Sequence, residues 1–287
     1  MEHVTLTTEP ADGYALLDSG NEEKLERYGE YVLARPDPEA LWPKRLPESE
    51  WKKADARYER KGKGGAWHVR NELPKEWRVG FGGCAFLIRP TSFKHTGLFP
   101  EQEPNWRWVD ECVRARAGGA RVLNLFAYTG GATLAAARAG AEVVHLDASK
   151  TAVEWARANA AASGLSEKPI RWILDDALAF VKKEERRGSH YDGIIMDPPA
   201  FGHGPKDELW KIEEHFLPLM EACKKLLSES PLFFLVNGYA SGYSPLMFAH
   251  NLASLGSRIE YGELTIRESG DDGRLLPAGI FARWQKS

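Results

Sequence analysis

Five consecutive residues, Asp197-Pro198-Pro199-Ala200-Phe201, combine a carboxylate, two residues without N–H groups and an aromatic ring. The prolines fix φ and break any helix ladder, so the carbonyls of Asp197 and Pro198 are expected to stand as acceptors beside the ring. That set suits a flat target bearing an amino group; a stiff strand-to-loop turn is the plainer reading of the same residues. Upstream lie Tyr128-Thr129-Gly130-Gly131, then Asp147 with Ser149, then Asp175-Asp176. Glycines let backbone approach a ligand closely, and a helix N-terminus after them favours a carboxylate or phosphate. An acid about 20 residues past such a turn can accept both hydroxyls of a ribose. Asp175-Asp176 suits an adenine amino group, while Asn124 and Thr129 can address an ammonium and a carboxylate. The structural alternatives stay open: Asp147 with Ser149, and Asp176, can equally be helix caps.

These residues share a setting. From about Asn105 onward, apolar runs alternate with helical segments. Strands are expected at 121–127, 142–147, 170–174, 191–196 and 232–237. Helices are expected at 105–113, 131–139, 150–163, 177–187, from about Asp207 to Leu227, and at 246–255. Such alternation means an α/β fold with a mostly parallel sheet covered on both faces. Two last strands, near 258–267 and 277–284, read as a hairpin through Gly270-Asp271-Asp272-Gly273 that adds an antiparallel edge. In open α/β sheets, ligands bind beyond the carboxyl ends of the strands, where all the acids above fall. A dinucleotide would want GxGxxG against its pyrophosphate; only Gly130-Gly131 stands in this turn. A nucleoside carrying an amino-acid tail fits better.

Residues 1–90 differ in texture and are expected to form a small β-rich domain, with 91–287 as the second. Short strand-like pieces such as Tyr31–Ala34 and Cys84–Ile88 are separated by turns at Arg35–Pro38, Lys61–Gly65 and Phe81–Gly83. Between Lys44 and Arg78, eleven Lys or Arg face six Asp or Glu, with Trp51, Tyr58, Trp67 and Trp77 interleaved. Cations that track phosphate beside rings that stack on bases suit RNA; a solvated loop region whose tryptophans fill a small core is the alternative. The whole chain carries a net charge of −3, which argues against a generic polyanion binder. The cysteines Cys84, Cys112 and Cys223 are far apart and form no CxxC, so neither a zinc site nor a disulfide framework is expected, and no metal is assigned. No apolar run approaches the ~18 residues of a membrane span. Met1-Glu2-His3-Val4-Thr5 has neither a basic start nor an apolar signal core, so a cytoplasmic setting is expected.

Val122-Leu123-Asn124-Leu125-Phe126-Ala127-Tyr128-Thr129-Gly130-Gly131 resembles motif I of class I S-adenosylmethionine-dependent methyltransferases. Lys94-His95-Thr96-Gly97-Leu98-Phe99-Pro100-Glu101-Gln102 narrows the resemblance to the bacterial large-subunit (23S) ribosomal RNA methyltransferases of the cytosine-C5 and related type. The resemblance covers residues 90–240 and, loosely, the tail. It implies a Rossmann-like seven-stranded sheet with a reversed last hairpin, and S-adenosylmethionine as cofactor. By it, Asn124, Thr129 and Gly130 line the methionine part, with Phe126 and Tyr128 in the same cofactor loop. Asp147, beside Ser149, holds the ribose; Asp176, beside Asp175, holds the adenine; Phe99 and Gln102 close over the cofactor. The turn of Asp197, Pro198 and Phe201 presents the methyl acceptor.

The chain departs from that branch in two places. Carbon-5 of cytosine becomes nucleophilic only after a thiolate adds to the ring. No cysteine stands in the fifth-strand segment Leu235-Val236-Asn237-Gly238-Tyr239-Ala240-Ser241, and Ala200 follows the double proline. No PUA module is recognisable in residues 1–90. Cytosine-C5 transfer is therefore set aside in favour of a base nitrogen of RNA, probed against two alternatives: N-methylation of a protein side chain or small molecule, and a non-catalytic binder that keeps the fold.

Overall fold

The computed structural model describes residues 1–287 except Lys63, Phe93, Ala117, Ala240, Ser241 and Ser287. Lys63 of the expected Lys61–Gly65 turn and Ala240-Ser241 after the fifth strand thus lie outside the described residues. The chain divides into two units: Thr7–Glu103 with Leu264–Ala278, and Met1–Leu6 with Pro104–Glu263 and Gly279–Ser287.

β1 (Glu2–His3) and β2 (Leu6–Thr8) open the chain. In the front unit β3 (Tyr14–Gly20), β4 (Glu23–Tyr28), β5 (Tyr31–Pro36), β6 (Ala56–Lys61) and β7 (Gly64–Val69) form one sheet in chain order. The short helix α1 (Glu48–Trp51) interrupts them, and β8 (Trp77–Phe81) pairs with β9 (Cys84–Ile88). This unit is organised around buried charge. Glu26 is 0% exposed. It accepts from Arg35 Nε at 2.7 Å, Arg35 Nη2 at 2.9 Å, and the hydroxyls of Tyr14 at 2.8 Å and Tyr28 at 3.1 Å. Burial pushes the Glu26 carboxyl up, but the charges of Arg35 and Lys24 outweigh it and hold it at about 2. A second knot explains why the tail segment belongs here. Buried Asp18 accepts from Trp51 Nε1 at 2.9 Å and from Arg274 Nη2 at 2.8 Å, and Arg274 Nε donates to buried Glu268 at 2.8 Å.

The rings interleaved with the basic residues are structural. Trp51 is buried with Lys44 Nζ over its ring; Tyr58 donates to Ser92 O, Trp67 to Thr91 O and Trp77 to Tyr28 O.

The second unit holds α2 (Glu103–Arg114, from Pro104), β10 (Arg121–Leu125), α3 (Gly131–Ala139), β11 (Glu142–Asp147), α4 (Lys150–Ala162), β12 (Ile170–Leu174), α5 (Ala177–Arg186) and β13 (Gly193–Met196). After them come β14 (Phe201–His203), β15 (Leu209–Lys211), α6 (Ile212–Lys225), β16 (Phe233–Gly238), α7 (Pro245–Leu252), β17 (Ile259–Arg267) and β18 (Leu275–Gln285). The main sheet runs β1-β17-β18-β16-β13-β10-β11-β12, with β2 also on β17. β12, β11, β10, β13 and β16 are parallel, and β18 lies antiparallel to β16. Strand residues alternate between two cores. Leu123, Leu125, Ile194, Met196, Phe234 and Val236 pack with α5, α6 and α7. Val122, Ile195, Phe233 and Leu235 pack with α2 and α3. Among the described residues no helix is long and apolar enough to cross a membrane.

Two sequence expectations change and one holds. The helix expected from Asp207 starts at Ile212, because the β14–β15 hairpin occupies 201–211 and Asp207 turns the chain at φ 64°. The final hairpin extends the parallel strands as expected, with β18 antiparallel beside β16 and β17 outside it, next to β1. Met1–Leu6 joins the second unit, and the front unit runs to Glu103.

Glu26 gives a test of the front unit. Its carboxyl is held below its unfolded value, so its contribution is complete above about pH 4.5 and is lost as pH falls through about 2. Glu26→Gln leaves Arg35 without its buried partner and is expected to lower stability by about 3–5 kcal/mol at pH 7. In urea unfolding the gap between variant and parent should narrow steadily below pH 4.5; a gap independent of pH would contradict the assignment.

Candidate active site

Sheet order reverses at β10: β11 lies on one side and β13 on the other. Leu125 pairs with Leu146 and with Met196, and Met196 with Val236. The carboxyl ends of four strands therefore stand level, and the segments leaving them meet at the crevice where open α/β sheets bind ligands. Asp197 N reaches Leu125 O at 3.4 Å, so the Asp197 turn and the loop after β10 are immediate neighbours.

That loop is wound in an unusual way. Phe126 has φ 56°, Tyr128 48° and Gly130 92°, all left-handed. For bulky residues this conformation costs of order 1–3 kcal/mol and needs outside support. Support comes from β11: Asp147 Oδ2 accepts from Tyr128 N at 2.8 Å, and Ala127 N donates to Leu146 O at 3.0 Å. Asp147 Oδ1 accepts from Ser149 N at 2.8 Å, and Ser149 caps α4 through Ala152 N. Burial raises the Asp147 carboxyl, against the pull of the Ser149, Tyr128 and Ala148 amides. Buried Thr129 offers its carbonyl to Asn159 Nδ2 at 2.9 Å. Gly131 opens α3 where a Cβ would lie 2.1 Å from Trp106 Cζ2, so the helix start needs a glycine to pass the indole.

Beneath the loop, Asn124 Nδ2 donates to Thr133 Oγ1 at 2.9 Å, which lies 2.9 Å from His145 Nδ1. All three are buried. Burial lowers the His145 pKa to about 3, so the imidazole is neutral. After β12, Asp175 takes Lys183 Nζ at 2.6 Å, and Asp176 caps α5 by accepting from Ala179 N at 2.8 Å. Four carboxylates thus stand at three strand ends with Lys183 offsetting one, a local field that favours a cationic ligand.

Of the turn after β13, Pro198 is buried and Asp197 half-buried, while Phe201 is 58% exposed. Pro199 O accepts from Trp210 Nε1 at 2.6 Å, and Ala200 O from Ile212 N at 3.1 Å. Buried Trp210 also meets the Phe126 ring edge-on at 4.9 Å and stacks with His215. It ties the two loops together. Cys84, Cys112 and Cys223 are all buried; burial raises the Cys112 thiol to about 12 and pushes Cys223 higher still. Neither is a thiolate at neutral pH.

The two remaining expected residues, Phe99 and Gln102, belong to the front unit. Phe99 precedes and Gln102 ends the short 3-10 turn Pro100–Gln102; the Phe99 ring tilts against His95, and Gln102 is buried. Trp210, Asn159, Thr133 and His145 are additions that the sequence did not lead us to expect. Only a polar residue inside an apolar strand, His145 in Val143-Val144-His145-Leu146, was open to notice.

A family model described as S-adenosylmethionine-dependent methyltransferase matches residues 54–217. The crystal structure of a SAM-dependent methyltransferase from Agrobacterium tumefaciens is 40% identical, with a TM-score of 0.95 and coverage of 99% of this chain and 95% of that one. A ribosomal RNA large subunit methyltransferase K/L from Syntrophotalea carbinolica is 33% identical over 183 residues, 63% of this chain and 25% of the relative. One from Pseudomonas putida is 30% identical over 231 residues, 79% of this chain and 29% of the relative. The chain thus spans about a quarter of the length of these curated relatives. The family model covers more than half of the sequence, and the chain belongs to the S-adenosylmethionine-dependent methyltransferases.

Proposed function

We propose that this methyltransferase acts on a base nitrogen of RNA, ribosomal RNA first among candidates, presented by the Asp197 turn. The observation that carries the reading is the rigid turn at the sheet's switch point: a half-buried carboxylate, a buried proline and an exposed ring beside the loop after β10. The names of the curated relatives support RNA as the substrate class.

The residues present fit the cofactor. Gly130 brings a left-handed backbone without a Cβ to the loop, and the carboxylates at the strand ends suit a positive charge. In this reading Asn124, Thr129 and Gly130, with Phe126 and Tyr128, hold the methionine arm. Asp147, fixed by two backbone amides, offers its remaining lone pairs to the ribose beside Ser149. Asp176, with Asp175, faces the adenine. The bound cofactor supplies a methyl group on a sulfonium, an electrophile ready for in-line displacement. What remains for the protein is to hold the acceptor. Asp197 and the Pro198 carbonyl accept the N–H groups of an amino-bearing base, aiming its lone pair, while Phe201 stacks on the ring. A base inside a stem must first be flipped out.

Burial of the thiols supports nitrogen over carbon-5, because Cys112 and Cys223 stand protonated and Cys84 is buried in the front unit. A protein side chain or small molecule as the acceptor is the second reading. It is favoured by the structural engagement of Trp51, Tyr58, Trp67 and Trp77, which removes those rings as ready base-stacking surfaces. Turnover without RNA and with little salt dependence would select it.

Mass spectrometry of ribosomal RNA nucleosides from a deletion strain should show one methylated nucleoside lost and restored by the wild-type gene; an unchanged profile sinks the RNA assignment. Asp197→Ala should lower kcat about 100-fold or more while the cofactor Kd moves less than about threefold. Trp210→Phe, which loses the bond to Pro199 O, should lower kcat about fivefold with cofactor affinity kept, as one hydrogen bond of about 1 kcal/mol implies. Replacing Cys84, Cys112 and Cys223 together by alanine should preserve turnover within about tenfold; complete loss in a folded variant would restore the thiolate route.

A further inference from the structure

His145 is a histidine where the fold asks for a hydrocarbon. It sits in the middle of β11, 0% exposed, with Trp172 packed against its ring at a centroid distance of 4.8 Å. Its Nε2 has no well-aligned hydrogen bond among the described residues, although the Tyr128 backbone beside the ring pulls the imidazole pKa up against burial. Keeping such a group in a core costs stability, which points to a task for the other nitrogen. That nitrogen, Nδ1, is 2.9 Å from Thr133 Oγ1, which accepts from Asn124 Nδ2 at 2.9 Å. The three residues come from β11, α3 and β10, and the line they form runs under the left-handed loop Phe126–Gly130.

Each link has a direction. An amide nitrogen only donates, so Thr133 Oγ1 accepts from Asn124. A neutral ring with its proton on Nε2 takes the hydroxyl proton at Nδ1, and a hydroxyl so committed can only accept from Asn124. The dependence runs one way, from His145 through the hydroxyl to Asn124. If position 145 donated, the hydroxyl would keep both its proton and a lone pair, and either end of the Asn124 amide could face it. The amide of Asn124 has two ends of opposite polarity, and an ammonium group can bond only to the oxygen.

We propose that His145, acting through Thr133, is a positioning residue that sets the polarity of the Asn124 amide, so that its carbonyl oxygen, not its NH₂, is offered to the ammonium of the cofactor's amino-acid arm. The inference rests on the assignment of Asn124 to that ammonium. It adds a specific selectivity: the chain senses the amino group, whereas the carboxylate end and the nucleoside are held by other residues.

The test compares two ligands by calorimetry on the full chain: S-adenosylhomocysteine and its analogue lacking the α-amino group. Thr133→Val keeps shape and removes the hydroxyl. It should weaken S-adenosylhomocysteine at least tenfold and the deaminated analogue less than threefold, and Thr133→Ser should restore the parent ratio. His145→Asn, which can place an amide oxygen near the position of Nδ1, should lie closer to the parent than His145→Leu. Thermal unfolding of each variant, compared with the parent, separates lost fold from lost selectivity. Equal weakening of both ligands by Thr133→Val would overturn the proposal in favour of a purely structural chain. Asn124→Ala separates the premises. If it weakens S-adenosylhomocysteine selectively while Thr133→Val does not, the positioning role fails and the Asn124 assignment stands. If Asn124→Ala affects both ligands alike, the assignment itself fails and takes the proposal with it.

Discussion

The bond from Tyr128 N to Asp147 Oδ2 is the constraint on which the rest of the site depends. Tyr128 stands at φ 48°, a conformation that a tyrosine adopts at a cost of order 1–3 kcal/mol. A hydrogen bond to a charged acceptor is worth about 1.5–3 kcal/mol, enough to offset it. The carboxylate that grips the loop comes from the neighbouring strand, so the loop's shape is set by strand pairing. The same carboxylate is braced by Ser149 N, whose hydroxyl starts α4. Loop, strand end and helix start are thereby fixed by one side chain.

The second determinant is the adjacency of β10 and β13. Their pairing in register brings Leu125 level with Met196 and sets the two segments that leave them side by side. Trp210 then locks the pair, with its indole N–H on the Pro199 carbonyl and its ring edge on Phe126. This division of labour leaves Asp197 and Phe201 at the crevice while Pro199 and Ala200 are held from behind. The cysteines, all buried, take no part in it.

Much of this was legible in the residues. The alternation from Arg121 onward is strong because the strands are short apolar runs followed by glycines or acids, and the helices at 131–139, 150–162 and 177–186 are each stopped by a glycine. The strand ends therefore placed Asp147, Asp176 and Asp197 correctly in the chain. What was not legible is long-range. The hairpin 201–211 carries little apolar periodicity and depends on Trp210, whose partners lie 11 residues back and in the loop after β10. Asn124 stands in a recognisable motif, yet the direction of its amide is decided by Thr133 and His145, from two other elements. The four aromatic residues between Lys44 and Arg78 pattern like a binding surface, and only their partners, among them Asp18, Ser92, Thr91 and Tyr28, identify them as scaffold.

The tail segment Leu264–Ala278 carries a consequence for the gene. The polypeptide leaves one unit after Leu6, returns at Pro104, leaves again after Glu263 and returns at Gly279. Four boundary crossings mean that no single cut separates the units. A truncation that removes the first hundred residues keeps Arg274 but deletes Asp18, stranding a guanidinium beside Glu268 and removing the strands against which the hairpin tip is ordered. Modular exchange of the front unit between related enzymes would have to carry two pieces of coding sequence at once. Recombination at one junction would break both halves, so the pair is constrained to be inherited together.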